Sequence, residues 1–371
     1  MKKTLAASAV LTVAGLLAAA CGSSTSNSSG SSSASASASG GSSSASTAGK
    51  FLGCMVTDTG GIDDRSFNAS SWEGMQQAAK TDPSKISVKY LQSTTQSDYT
   101  PNINTFIGDK CGVIVTVGFL MAQATQTASK ANASSKFAIV DNSYTPALKN
   151  VDALLFNTVQ DAFLGGYLAA GMSKSGKVAT FGGQKLPTVT IYMDGFWDGV
   201  QYYNQKHGTH VSVLGWSEKT QNGSFTDQTA GQTLTQTFIN EGADIVFPVA
   251  GNVGLGSAKA VQNADASAGG QKVNMEWVDT DGCISAAQYC KYFISSVEKG
   301  IVAAVKTAVL GAAHGTFKGG NYIGTLKNGG VALAPFHQFD SKVPSKLKSE
   351  LNTVKQGIIS GSIQTPTKSP A

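Results

Sequence analysis

From Phe51 onward, short β-branched runs alternate with longer helical stretches, which predicts an α/β fold with parallel sheets. The strand runs are apolar throughout, so both faces of each sheet should be covered. The units fall into two successive sets of about five, which predicts two similar doubly wound α/β lobes. A closed eight-unit barrel is the architectural alternative on unit count alone.

The first set places strands at FLGCMVTD (51–58), ISVKYLQ (86–92), VIVTVG (113–118), KFAIVD (136–141) and ALLFNTV (153–159). The second places them at KVATFGG (177–183), HVSVLGW (210–216), DIVFPVAG (244–251), NMEWVD (274–279) and YFISSV (292–297). Helices are expected between most of them, at SSWEGMQQAAK, FLMAQATQTASKA, DAFLGGYLAAGMS and VTIYMDGFWDGVQYYNQ. A hairpin-like stretch, NYIGTLKNGGVALAPF (321–336), and a final helix, VPSKLKSELNTVKQGIISG, read as the completion of a lobe.

Ahead of this region, MKKTLAASAVLTVAGLLAAA (1–20) has two lysines, an apolar stretch and three alanines directly before Cys21. That is a secretory signal peptide with a cysteine at the cleavage point, the layout of a bacterial lipoprotein. Cys21 is then the lipidation site, although Ala18 stands where a lipobox usually has Leu. The alternatives are a signal peptide with an incidental cysteine, or a single transmembrane anchor, since Thr4–Cys21 is about the shortest stretch that spans a bilayer. The Ser/Gly/Ala segment that completes 21–48 has no large apolar residue and should form a disordered linker. The protein is therefore expected on the extracytoplasmic face of the cell membrane, held by its lipid.

The net charge of +5, with only 14% charged residues and no basic cluster, argues against a nucleic-acid partner. Setting Cys21 aside leaves Cys54, Cys111, Cys283 and Cys290, an even number that allows two disulfides in an exported protein. Cys283 and Cys290 close a short loop. Cys54 and Cys111 can lie on neighbouring strands, or remain buried thiols. Without a CxxC spacing, no zinc or redox site is expected.

In doubly wound sheets, ligands sit beyond the C-terminal ends of the strands. Those ends carry Asp58, Gly118-Phe119, Asp141-Asn142, Gly182-Gly183, Gly251-Asn252 and Asp279, a set suited to hydroxyl and amine donors rather than phosphates. GMSKSGKV (171–178) imitates a phosphate loop, but Val178 replaces the hydroxyl residue and the stretch runs from helix into strand. A phosphate loop needs the reverse order, so this is a turn. DTGGIDDRSFN (58–68) is the densest polar cluster. Asp58, Asp63 and Asp64 could hold a metal or act as acid and base; alternatively Asp63 or Asp64 caps the next helix. His207 and His210 flank a turn and should be exposed. No Ser/His/Asp set, nucleophile elbow or HExxH is present, so neither catalysis nor a cofactor is expected.

MVTDTGGIDDRSFNASSWEG resembles the opening signature of the basic membrane protein family, nucleoside-binding lipoproteins of ABC importers. VIVTVGFLMAQAT, KFAIVDN, DAFLGGYLAAG, LPTVTIYMDGF, DIVFPVAGNVGLG, WVDTD and ISSVEKGIVAAV resemble that family in the same order, covering essentially all of 51–310. The resemblance implies a type I periplasmic-binding-protein-like fold whose lobes are joined by crossover strands. It divides the chain into lobe one at 49–158 with about 282–325, and lobe two at 159–281 with about 326–371. It also implies a monomer that binds a nucleoside, specifically a purine nucleoside, without chemistry, and delivers it to ABC permease subunits. Carried over by residue, the base stacks on Phe67 beside Asp58 and Asn68, and Asp141 bonds its edge. Tyr192, or alternatively Phe196, supplies the opposing aromatic. Gly251 lets the backbone approach the sugar, while Asp279 and Lys299 bind its hydroxyls. On this reading the acidic cleft favours nucleosides over nucleotides. A sugar receptor of the same fold, and a metal-dependent nucleoside hydrolase, are the alternatives.

Overall fold

Residues 49–365 are described by a computed structural model; the expected signal peptide, Cys21 and the linker lie outside them. The chain begins β1 (Phe51–Val56), α1 (Phe67–Thr81), β2 (Ile86–Leu91), α2 (Tyr99–Gly108), β3 (Val113–Val117), α3 (Ala122–Ala131), β4 (Phe137–Val140), β5 (Val151–Phe156). It crosses into α4 (Val159–Met172), β6 (Lys177–Gly182), α5 (Pro187–His207), β7 (Ser212–Leu214), α6 (Gln228–Asn240), β8 (Ile245–Val249). There follow α7 (Val253–Ser267), β9 (Asn274–Asp279), α8 (Gly282–Ser285) and β10 (Phe293–Lys299). The last elements are α9 (Ile301–Ala313), β11 (Gly320–Gly324), β12 (Val331–Leu333) and α10 (Ser345–Ser360). Among the described residues, no helix is long and apolar enough to cross a membrane.

The strands form two open six-stranded sheets, ordered β11-β5-β4-β3-β1-β2 and β12-β10-β9-β8-β6-β7. The orders match strand for strand, so the lobes repeat one topology and no barrel closes. Pairing is parallel except between β10 and β12. Central strands such as β3 (VIVTV) and β8 (IVFPV) are buried at every position, as parallel strands covered on both faces must be.

Two boundaries differ from expectation. Residues 293–299 do not belong with lobe one: β10 pairs in parallel with β9 in the second sheet. The return to lobe one comes only at Gly300, where α9 begins and packs on α1. The 321–336 stretch is not a hairpin. Its first strand, β11, extends the first sheet beside β5, while β12 lies antiparallel to β10 in the second. The segment between them is a crossover tied locally by Thr325 and Asn328, whose side-chain oxygen accepts from Thr325 N and Gly330 N. Three crossovers therefore join the lobes: after β5, at Gly300 and after β11.

Cys54 on β1 is bonded to Cys111, which precedes β3, and Cys283 to Cys290 across the turn after α8. The phosphate-loop look-alike is a helix-to-strand turn whose amides at Lys174 and Ser175 donate to Asp244. His207 is not exposed as expected. It stacks on Tyr203 at 4.3 Å and lies 3.2 Å from Glu350, fastening α5 to α10.

The paired glycines of DAFLGGYLAAG have a packing cause. A Cβ on Gly166 would sit 1.8 Å from the Phe196 carbonyl oxygen, and one on Gly199 would sit 1.9 Å from that of Phe163. Backbone thus meets backbone where α4 crosses α5, and neither side can give way. Gly166→Ala is expected to cost about 1–3 kcal/mol or more through overpacking. Thermal unfolding followed by circular dichroism checks this; an unchanged midpoint would mean the helices can separate freely.

Candidate functional site

The C-terminal ends of the two sheets face each other across a cleft, the position ligands take in doubly wound sheets. Asp58, Phe67, Asn68, Asp141, Tyr192, Gly251, Asp279 and Lys299 all line it. Phe196 does not. It is fully buried in lobe two, packed 5.3 Å from Phe247. Both Tyr192 and Phe196 lie on the buried face of α5, but only Tyr192 stands near enough to its N-terminal end to reach the cleft.

The polar cluster after β1 divides its labour. Asp64 Oδ1 accepts from the amides of Ser66 and Ala69, and Oδ2 accepts from the amide of Asn68, so this carboxylate caps α1. Asp63 is exposed and lies outside the cavity lining. The three aspartates therefore do not converge as metal ligands. Asn68 Nδ2 donates to Asp58 at 2.8 Å and to Asp64 at 3.1 Å, which turns its Oδ1 away from both. That oxygen is buried without a partner among the described residues and is available to a ligand donor. Burial pushes the Asp58 carboxyl up, against the pull of Asn68 and the Gly60 amide. Burial likewise pushes Asp64 up to about 7 despite its three amides.

Asp141, directly after β4, and Asp279, the last residue of β9, lie at the ends of equivalent strands of the two sheets, and both have positive φ, +64° and +67°. Left-handed backbone at a non-glycine residue costs about 1–3 kcal/mol and collects at functional sites. Between them lies Lys299, the last residue of β10, bonded to Asp141 Oδ2 and 3.7 Å from Asp279 Oδ1. Asp279 also accepts from the Tyr192 hydroxyl at 2.8 Å and from Ser66 Oγ at 2.9 Å. Burial opposes the charge on Lys299, but Asp141, Asp279 and Asp161 together hold its ammonium above the usual value. Asp161, in the first turn of α4, is fully buried with neither oxygen partnered among the described residues; burial raises it far above the carboxylate range.

Ser66 and Asp279 belong to different lobes, as do Arg65 and Trp277, whose Nε1 donates to the Arg65 carbonyl at 3.2 Å. The cleft is thus bridged at its rim as well as through Lys299.

One aromatic lining residue escaped the sequence reading. Phe225, in the loop between β7 and α6, lines the cavity from lobe two, while Phe67 lines it from lobe one. Tyr192 is 1% exposed with its hydroxyl committed to Asp279, so Phe225 is the more open ring. A signal was present: Ser224-Phe225-Thr226 echoes Ser66-Phe67-Asn68, each an isolated aromatic in a polar run entering a helix. Among the described residues, the only cluster of three metal-ligand types is Asp281, Cys283 and His337. It lies apart from this cavity lining, and the Cys283 sulfur is bonded to Cys290.

A known protein of matching fold is a solute-binding protein of an ABC transporter system from Aeropyrum pernix. It has a TM-score of 0.78 and 25% identity over 86% of this chain and 94% of that one. The chain is 31% identical to the ABC transporter nucleoside-binding protein BmpA of Lactococcus lactis, over 85% of this chain and 88% of that protein. It is 29% identical to a CD4+ T-cell-stimulating antigen of Listeria monocytogenes, over 99% of both chains. The profile described as Bmp, ABC transporter substrate-binding protein PnrA-like, matches residues 51–369. Its two lobes, each closing one side of a cleft lined by strand ends, are those of a periplasmic-binding-protein-like solute receptor, and the chain belongs to the Bmp family of PnrA-like ABC transporter substrate-binding proteins.

Proposed function

We propose that the protein is a lipid-anchored receptor for purine nucleosides, which closes its lobes on the ligand and delivers it to ABC permease subunits. The observation that carries this reading is the pairing of Phe67 and Phe225 from opposite lobes with an excess of buried carboxylates and an unpartnered Asn68 Oδ1. A nucleoside offers the matching parts: a flat face, an edge bearing N–H donors, and a neutral diol. Stacking contributes about 1–3 kcal/mol per base on an aromatic ring, by analogy with single-stranded nucleic acids. Asp58 and Asn68 Oδ1 accept from the base edge. Asp279 accepts from ribose hydroxyls in charge-assisted bonds, and Lys299 donates to the same sugar. Gly251, at φ +55°, presents backbone in place of a side chain.

In this reading Tyr192 orients Asp279 and the second stacking face passes to Phe225. Lobe closure is a hinge motion about the three crossovers. Cys21 and the linker hold the receptor beside its permease on the outer face of the membrane. Calorimetry with adenosine, guanosine, inosine, cytidine and ribose is expected to show the purine nucleosides binding tightest. Heat from ribose alone would replace this reading with a sugar receptor, and free base released on incubation would replace it with a hydrolase.

A further inference from the structure

We propose that a second chamber, on the hinge side of the Asp279–Lys299 pair, holds a phosphoryl anion. The proposal rests on the nucleoside reading for the ligand that would carry such a group. Asp279 and Lys299 line both spaces and form the wall between them. The second space, about 780 Å³ including its mouth, is bounded also by Ser70, Thr280, Glu298, Gly300 and Lys306.

Three features of this chamber suit an anion. Gly300, Val302 and Ala303 place the start of α9 on its wall. That helix has 13 residues, no side-chain cap and no acidic residue in its first turn. Its first amides have no intrahelical partner, and the dipole adds partial positive charge at that end. Ser70, only 4% exposed, lines the chamber from α1 with a hydroxyl that bonds to none of the described residues. That hydroxyl faces the chamber and is available to donate to a phosphoryl oxygen. Lys306, one turn into α9, makes no ion pair among the described residues, whereas the Lys299 ammonium is committed to Asp141 on the first chamber's side of the wall.

Glu298 opposes them. Burial pushes its carboxyl up to about 7, the nearby Asp281 adds to the rise, and His337 offsets part of it. Its repulsion of an anion is therefore weaker than that of an ordinary carboxylate at neutral pH. The acidic base-and-ribose chamber disfavours phosphate, but a 5′-phosphate extending past Asp279 would leave that chamber for this one. The same chemistry fits free inorganic phosphate, and the test separates the two sources.

Guanosine, guanosine 5′-monophosphate, ribose 5-phosphate and inorganic phosphate are titrated calorimetrically into the wild-type protein, K306A and E298Q at low ionic strength. The monophosphate is expected to bind within about tenfold of guanosine. K306A is expected to weaken the monophosphate about tenfold more than guanosine, the scale of one charged hydrogen bond, and E298Q to strengthen it selectively. Inorganic phosphate that binds alongside guanosine and is lost in K306A would assign the chamber to the free ion. A monophosphate more than about a hundredfold weaker than guanosine, or a K306A effect equal on both ligands, overturns the proposal while leaving the nucleoside reading intact. Binding of ribose 5-phosphate that depends on Lys306, with no heat from any nucleoside, keeps the chamber and removes the nucleoside reading.

Discussion

Asp279→Ala is expected to lower nucleoside affinity by about two to four orders of magnitude, while affinity for the free base changes only slightly. The size follows from two charge-assisted bonds to the ribose diol at about 1.5–3 kcal/mol each. The structure makes the loss larger than the contact alone. Asp279 is also the acceptor for the Tyr192 hydroxyl and Ser66 Oγ and a neighbour of Lys299, so its removal leaves the Tyr192 hydroxyl without its acceptor and weakens the bridge between the lobes, although Ser66 keeps the Val278 carbonyl and Lys299 keeps Asp141. A merely loosened cleft would weaken base and nucleoside together. The discriminating measurement is therefore a cycle of guanosine and 2′-deoxyguanosine against wild type and D279A. The wild type should prefer the ribonucleoside, and the variant should bind both alike. Persistence of the preference in D279A would place the diol elsewhere in the cleft.

The two-lobed architecture was legible because parallel strands covered on both faces must be apolar throughout, and all ten runs from 51–58 to 292–297 contain a strand. Helices α2 and α6 were harder to see. Each buries only three residues, Tyr99, Ile103 and Phe106 in one and Gly231, Thr235 and Phe238 in the other, within largely polar segments. The hairpin reading of 321–336 failed because two short strands around a glycine-rich turn look alike whether they pair or part. Only the vacant edges beside β5 and β10 decide between those outcomes.

The same contrast runs through the site. Strand ends are readable, so Asp58, Asp141, Gly251 and Asp279 could be placed at the cleft from topology alone. A helical face is not readable end from end. Tyr192 and Phe196 are one turn apart on α5 and equally apolar in pattern, yet one meets the cleft and the other Phe247. Phe225 sits in a loop with no periodicity, and only tertiary structure brings it to the cavity.

Lys299→Met is expected to be the most destabilising single change at the site, by about 3–5 kcal/mol at neutral pH, the cost of breaking a buried ion pair. That is a large share of the stability of a typical domain. Methionine keeps roughly the length and apolar stem of lysine, so the loss reports the charge rather than a cavity. Lys299 is the single ammonium lining a cavity that Asp58, Asp64, Asp141 and Asp279 also line. Burial already pushes Asp141 up with Lys299 present, and Asp279 adds repulsion; without the lysine the rise is greater. A carboxyl whose folded pKa lies above its unfolded value binds its proton more tightly when folded. Its contribution to stability is then full below the unfolded pKa and is lost as pH rises through the folded one. K299M should accordingly unfold much earlier than wild type at pH 8 and approach it at pH 5, measured by urea titration at both values. A deficit independent of pH would mean that the lysine acts by packing, and that the Asp141–Asp279 charge is balanced elsewhere. If the deficit does shrink in acid, Lys299 is what allows two strained strand ends to carry carboxylates into one cleft, and hence what makes a site for a hydroxyl-rich ligand sustainable there.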